Sequence, residues 1–429
     1  TLNSQPHWTP AAGAFEGWPK TAMELKCLDP CMGSGHFVVA LFERLVALRL
    51  AEERLDEAAA VAAVIRDNLF GLEIDPRCTQ IAAFNLALAA WRRVGHCKLP
   101  AMNLACSGLA PNTTEADWLA IAGDDEKLQR GMERLYQLFT KAAVLGSLIN
   151  PRAAEGDLLV AAFHELQPLL EKALAQETKD DTAHEMAVTA RGLAKAAEIL
   201  AGQFTLVATN VPYLGRNKQD EVLMGYCERV HPEAKADLSN CFVERCLSFC
   251  AASGSSALVT PQNWLFQGAA KDMRQRILQN EQWDFAAGLG PGSFQTPMWD
   301  FSIALLGISR REPDAAHQMM AINVSEEETP DDKAAALVAL ESSQLNQRRQ
   351  LGNPDGRLTW VEIRNDLPLL NKFADSYQGL RTGDIERFSH MLWEVTEFGE
   401  TWTPLKRSSN PTNPFDGIQM VLLWEGGRG

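Results

Sequence analysis

Apolar residues along the chain fall into short continuous runs that alternate with stretches of helical spacing. The run ELKCLD (24 to 29) meets the turn PCMGSGH, after which FVVALFERLVALRL repeats its apolar positions at helical intervals. NLFGLEID (68 to 75) reads as a second strand, and Pro76 suits the first turn of a helix over PRCTQIAAFNLALAAWRR. A third strand is predicted at AMNLACSGL (101 to 109). Strands alternating with helices in this order predict an α/β fold with a parallel, doubly wound sheet.

From about 111 to 203 the spacing turns helical in DEKLQRGMERLYQLFTKAAVL, DLLVAAFHELQPLLEKALA and HEMAVTARGLAKAAEILAG, with the polar turn QETKDD between the last two. This predicts a helical insertion containing a helical hairpin, serving as scaffold or partner contact. FTLVATN then resumes the sheet. A helix over DLSNCFVERCLSFCAA, a strand at SSALVT and a helix over AAKDMRQRIL follow, and then the strands WDFAAGLG and DFSIALLGIS. The last two have little between them, which predicts an antiparallel hairpin and hence an antiparallel strand at one sheet edge. The acidic, proline-containing SEEETPDDK and the Gln/Arg-rich LNQRRQ suggest a first domain over 1–310, a linker over 311–369 and a further region from 370 to 429.

Composition narrows the class. A chain of 429 residues with 46% hydrophobic content can bury a large core and is expected to form two or more units. No window approaches the unbroken apolar run of a membrane span, and the first thirty residues lack the regions of a signal peptide. A cytoplasmic location without membrane contact is the expectation. Nine scattered cysteines fit a reducing compartment, and Cys241, Cys246 and Cys250 read as small apolar residues on a helix, so no metal is expected. A formal net charge of -15 argues against nonspecific coating of nucleic acid but allows local basic patches. The start at Thr1 rather than Met, and the stop soon after an apolar run, suggest part of a longer protein.

In a doubly wound sheet, ligands sit beyond the carboxyl ends of the strands. Beyond the first lies LDPCMGSGHF, where Gly33 and Gly35 permit a tight turn and close approach of a ligand to the main chain. A dinucleotide fingerprint would place a third glycine at Val38, and Asp29 would repel a pyrophosphate while favouring an ammonium group. The turn alone is equally well a plain strand-to-helix connection. Beyond the second strand, Glu73 or Asp75 can accept hydrogen bonds from ribose hydroxyls, and Asp75 also suits the cap of the helix at Pro76. Beyond the third, Cys106 and Ser107 are candidates for the polar edge of an adenine ring, with Asp157 as a rival.

The fourth strand ends in Asn210-Val211-Pro212-Tyr213. Asn210 offers a side-chain carbonyl, residue 211 a main-chain carbonyl, and Pro212 fixes the turn so that both converge. Two acceptors match the two hydrogens of an exocyclic amine; accepting both frees its lone pair for attack on an electrophilic methyl. Tyr213 would stack on the base that bears the amine.

LDPCMGSGHF, GLEID and TNVPY resemble motifs I, II and IV of the S-adenosylmethionine-dependent DNA adenine-N6 methyltransferases, in the order of the gamma class. KADLSNCFVERCLSF, SSALVTPQNWL and GPGSFQTPMWDFSIALLGISR resemble later motifs of that class, and HWTPAAGAF its N-terminal motif. RDNLFGLEIDPRCTQIAAFNLALAAW and YQGLRTGDIERFSHMLWEV look more closely like the PglX methyltransferases of BREX phage defence and the fused restriction-methylation enzymes. The likeness covers most of 20–310 and returns near 377–395.

The resemblance implies a Rossmann-like methyltransferase domain followed by the start of a target recognition region. Asp29, Pro30, Gly33 and Gly35 would hold the methionine portion of S-adenosylmethionine, Phe37 would support their loop, and Glu73 would take the ribose. Ile74, Ser107 and Asp237 would complete the cofactor-binding set, with Phe242 nearby. Asn210, Val211, Pro212 and Tyr213 would form the catalytic loop, and Tyr213 and Phe294 would stack on the target base; His36 is read as structural. The implied partner is double-stranded DNA with an adenine flipped out of the stack, alongside other phage-defence proteins. Arg381, Arg387, Lys406 and Arg407 are candidates for a DNA-facing surface or plain solvated charges. The class pattern is Asn/Asp-Pro-Pro-Tyr/Phe, and Val211 departs from it: valine keeps the carbonyl but loses a fixed torsion, so slower catalysis is expected. Two rival readings are a protein-glutamine N5 methyltransferase and a catalytically weak, cofactor-sensing DNA-binding subunit.

Overall fold

The structure is a computed structural model that describes residues 17–152 apart from 112, 121, 123 and 124, then 181–295 and 301–362. Beyond these it describes 368, 370–375, 385–397, 399, 401–406 and 417–424. HWTPAAGAF, the helical stretch 157–175 with Asp157, Arg381 and Arg407 lie outside the described residues. The chain divides into Thr1–Ile363 and Arg364–Gly429.

In the first unit β1 (Cys27–Asp29), α1 (His36–Glu52), α2 (Glu57–Ala63), β2 (Leu69–Glu73), α3 (Pro76–Val94) and β3 (Asn103–Cys106) follow the predicted alternation. Neighbouring residues of β1 serve opposite faces of the sheet. Cys27 joins an apolar cluster with α1 and α3, while Leu28 joins a second cluster with the insertion helices, so the strand is a continuous apolar run. Asp75 caps α3 by accepting the Arg77 N–H at 2.8 Å, and Pro76 occupies the first turn. Gly35 enters α1 with φ 87, and a Cβ there would sit 2.9 Å from Ala82 of α3. Only glycine combines that torsion with so close an approach of the two helices.

The sheet resumes with β4 (Phe204–Asn210), β5 (Cys250–Pro261), β6 (Gln282–Gly290), β7 (Ile303–Ser309), β8 (Gln318–Asn323) and β9 (Ser343–Asn346). Its order is β3-β2-β1-β4-β5-β7-β6-β8-β9. β7 and β9 run against their neighbours, and the remaining pairings are parallel. The mostly parallel sheet with an antiparallel edge is as expected, but the edge is β9. The β6–β7 hairpin expected there lies inside the sheet, because β7 inserts between β5 and β6.

The expected linker at 311–369 is corrected by the same topology. Met319 and Ala321 of β8 and Leu345 of β9 are buried in the main core, and Thr329 caps a helix over Pro330–Ala339. The acidic run that suggested a linker is the connection and first turn of that helix. The described insertion helices form a layer on the sheet: Trp118, Met132, Phe139 and Leu193 share the cluster of Leu28 and Leu72. Cys241, Cys246 and Cys250 are buried apolar groups at or just past the helix Leu238–Phe249. Among the described residues no helix is long and apolar enough to cross a membrane.

The second unit contains a three-stranded antiparallel sheet in the order β10 (Ser389–Met391), β12 (Met420–Leu423), β11 (Trp402–Leu405). His390 packs edge-on against Trp402, with ring centroids 5.0 Å apart.

Candidate active site

The loop after β1 is held from beneath and from the side. Asp29 is buried, and its Oδ1 accepts the Cys31 N–H at 3.1 Å and the Thr209 hydroxyl at 2.7 Å. Burial pushes its pKa up to about 7, against the lowering effect of those two bonds, and the charge of Glu73 adds to the rise. Gly33 turns with φ 52 and donates its N–H to Glu73 Oε2 at 2.7 Å. Glu73 Oε1 accepts the Asp75 N–H at 3.0 Å. A carboxylate has further lone pairs, so Glu73 retains acceptor capacity for hydroxyls while fixing the glycine turn.

Ser107 is buried beside the main chain of Glu73. Its N–H donates to the Glu73 main-chain oxygen at 2.7 Å, and its hydroxyl shares a 3.1 Å hydrogen bond with that of Ser147. Ser147 lies in a short turn, Gly146–Leu148, that ends part of the insertion. Arg245, buried on the helix Leu238–Phe249, donates to the main-chain oxygens of Ser147 at 3.0 Å, Ile149 at 2.7 Å and Leu200 at 2.9 Å. Burial lowers its pKa to about 9. Asp237 caps the same helix, accepting the Ser239 N–H at 2.9 Å and its hydroxyl at 2.7 Å.

At the end of β4, Asn210 is exposed and accepts the Tyr213 hydroxyl at 2.7 Å on its side-chain oxygen. Val211 is buried, and its N–H donates to the Val259 oxygen of β5 at 3.3 Å. Burial raises the Tyr213 pKa, so its hydroxyl stays a donor. The Tyr213 ring lies 6.1 Å from Phe301 with a tilt of 35°, and Phe37, Tyr213 and Phe294 pack against one small apolar cluster.

A cavity of about 490 Å³ joins these strand ends. Pro30 and Cys31 line it after β1, Glu73 and Ile74 after β2, and Asn210 and Pro212 after β4. Ala143–Leu148 form another wall, with Leu238 and Phe242 among the remaining residues. It opens where strand order reverses between β1 and β4, the position at which doubly wound sheets hold ligands. Of the expected residues, Pro30, Glu73, Ile74, Asn210 and Pro212 line it. Gly33 and Ser107 stand one hydrogen bond behind the wall, while Asp29 braces the loop from below rather than facing the space. Tyr213 stands beside Asn210, and Phe37 and Phe294 pack with it against the cluster of Val259, Leu289, Ile303 and Val324. Sequence reasoning missed Leu145–Leu148 and Phe301; the first gave no signal because a short turn between helices has no chemistry of its own.

Strand ends converging on one cleft, with an Asn-X-Pro-Tyr tip sharing its wall with the loop after β1, are the arrangement of the methylase class. The chain belongs to the Eco57I restriction-modification methylase family, whose pattern matches residues 67–287. It is 26% identical over 261 residues to an adenine-specific methyltransferase PglX of Lacticaseibacillus casei (strain Zhang), covering 60% of this chain and 21% of that protein. It is 28% identical over 294 residues to the adenine-specific methyltransferase BrxX of Escherichia coli O9:H4 (strain HS), covering 63% and 24%. The chain thus spans about a quarter or less of the curated relatives it matches. A solved structure of the Type IIL restriction-modification enzyme MmeI in complex with DNA superposes with a TM-score of 0.46 at 12% identity, over 95% of this chain and 46% of that one.

Proposed function

We propose that this chain is the methyl-transferring part of a DNA adenine-N6 methyltransferase of bacterial phage defence or restriction-modification, with S-adenosylmethionine as methyl donor. The observation that carries the reading is the single cavity walled by the residues beyond β1, β2 and β4. Its volume falls within the few hundred to one thousand Å³ typical of small-molecule sites. The donor set also fits: an acid at the end of β2 suits ribose hydroxyls, and apolar walls at Ile74, Leu145 and Phe242 suit an aromatic base. When bound, S-adenosylmethionine would supply an electrophilic methyl group on a positively charged sulfur, a good leaving group because it takes the carbon–sulfur electron pair as a neutral thioether while the carbon–nitrogen bond forms.

The residues of the chain supply the rest. Pro30, Gly33 and Gly35 shape the turn around the methionine portion, with Asp29 bracing it. Glu73 and Ile74 meet the adenosine portion, Ser107 positions their wall through Ser147, and Asp237 holds the helix that brings Phe242 to the cavity. Asn210 Oδ1 and the Val211 carbonyl accept the two N6 hydrogens, which keeps the nitrogen lone pair out of the ring and available to the methyl carbon. Pro212 holds the turn. Tyr213 takes one face of the extruded adenine, with Phe301 or Phe294 closing the other side. The N6 proton displaced by the new bond passes to solvent. A bacterial DNA substrate supports a cytoplasmic location.

The names of the relatives favour adenine over a protein glutamine as acceptor. Incubation with radiolabelled donor tests this directly: label is expected in DNA as N6-methyladenine, and label confined to a release-factor-like protein would overturn the reading. Long-read sequencing of DNA from cells with and without the gene then gives the site.

A further inference from the structure

We infer that Pro261, at the end of β5, is a positioning residue that keeps the Val211 carbonyl free to accept from the target amine. The inference rests on the functional reading above for what the carbonyl accepts, and on strand register for why it is free. β4 and β5 run parallel with Asn210 opposite Val259, and the Val211 N–H donates to the Val259 oxygen at 3.3 Å. In a parallel ladder, a residue that donates to one partner accepts from the residue two further along. The N–H that should reach the Val211 carbonyl is therefore that of residue 261. Residue 261 is proline and has none.

Main-chain groups alternate sides along a strand, so residues 259 and 261 face β4 while 260 and 262 face β7. The bonds agree: the Gln262 N–H donates to the Ser302 oxygen on the β7 side at 2.7 Å. Pro261 is the last residue of β5, is paired with Ile303 of β7 and is buried, on a central strand rather than an edge strand. Proline is ordinarily confined to edges, first residues and bulges, since elsewhere it forfeits a ladder bond. Here the forfeited bond is the one that would take a lone pair of a catalytic-loop oxygen and hold its carbonyl in the ladder. Its torsions, φ -56 and ψ 136, are those of unstrained extended proline, so the ring removes the donor without distorting the strand.

The test exchanges the donor alone. In Pro261→Ala the new amide should bond the Val211 carbonyl and show slowed hydrogen exchange by NMR. The turnover rate should fall roughly ten- to a hundredfold, with donor affinity within about twofold of wild type. Replacing residue 261 by lactic acid, which is alanine with an ester oxygen in place of N–H, should restore turnover to within about threefold. Fast exchange of the new amide at position 261, or equal turnover of the alanine and lactic acid proteins, would overturn the inference. The exchange measurement needs no catalysis, so wild-type protein that leaves DNA unmodified would sink the functional reading and leave this outcome still readable.

Discussion

The Tyr213 hydroxyl donates to the side-chain oxygen of Asn210 at 2.7 Å. The bond ties the acceptor end of the amide to a ring three residues away along the same turn. Tyr213→Phe keeps the ring and loses the bond, so its turnover should fall less than about tenfold, in line with one neutral hydrogen bond. Asn210→Ala removes the acceptor itself and should lower turnover roughly a hundredfold or more, with donor affinity nearly unchanged. Single-turnover rates beside calorimetric titration of the donor separate the two effects.

Val211 stands where the class has proline, and its N–H makes the 3.3 Å bond to Val259. Valine thus exchanges a fixed torsion for a ladder bond. Val211→Pro should lose about 1 kcal/mol from that bond and regain part of it by restricting the unfolded chain. Methylation by the wild type, and its persistence in Val211→Pro, would set aside the reading of a decayed cofactor sensor. Methylation absent from both would support that sensor.

Asp29, with its pKa raised by burial to about 7, gives stability a defined pH dependence. Between about 4, its unfolded value, and 7 the folded protein holds a proton that the unfolded chain has released. On this group's account stability is fully retained below about 4 and declines as pH rises through 7. Denaturant unfolding across pH 5 to 8 should show that slope in the wild type and a flatter profile in Asp29→Asn.

Arg245 satisfies the main-chain oxygens of Ser147, Ile149 and Leu200 from inside the core. Arg245→Met strands those oxygens, and a loss of roughly 3 kcal/mol or more is expected. Because Ser147 lines the cavity, donor affinity should fall as well, even at temperatures where the variant is fully folded. A melting curve with and without donor measures both.

Gly35→Ala introduces a Cβ 2.9 Å from Ala82 at φ 87. The start of α1 must then shift from α3 or adopt a strained torsion, and a loss of about 2 kcal/mol is expected. Circular dichroism melts should show it as a lowered midpoint.

The alternation of strand, glycine turn and helix was legible because it is local. Apolar period, caps such as Asp75 and the turn at Gly33 are set by residues within a few positions of one another. The same locality brought Glu73 and Asn210 to strand ends and made their chemistry readable. What only the tertiary structure decided depends on partners far apart in the chain. Thr209 reaches Asp29 across 180 residues, β7 inserts between β5 and β6, and β8 and β9 turn an acidic stretch into sheet. The wall at Leu145–Leu148, the ring of Phe301 beside Tyr213 and the vacant donor position at Pro261 became visible only with those pairings. Register and contact between distant segments are chosen by burial and by satisfying main-chain groups over the whole sheet, and no short window of sequence contains that sum.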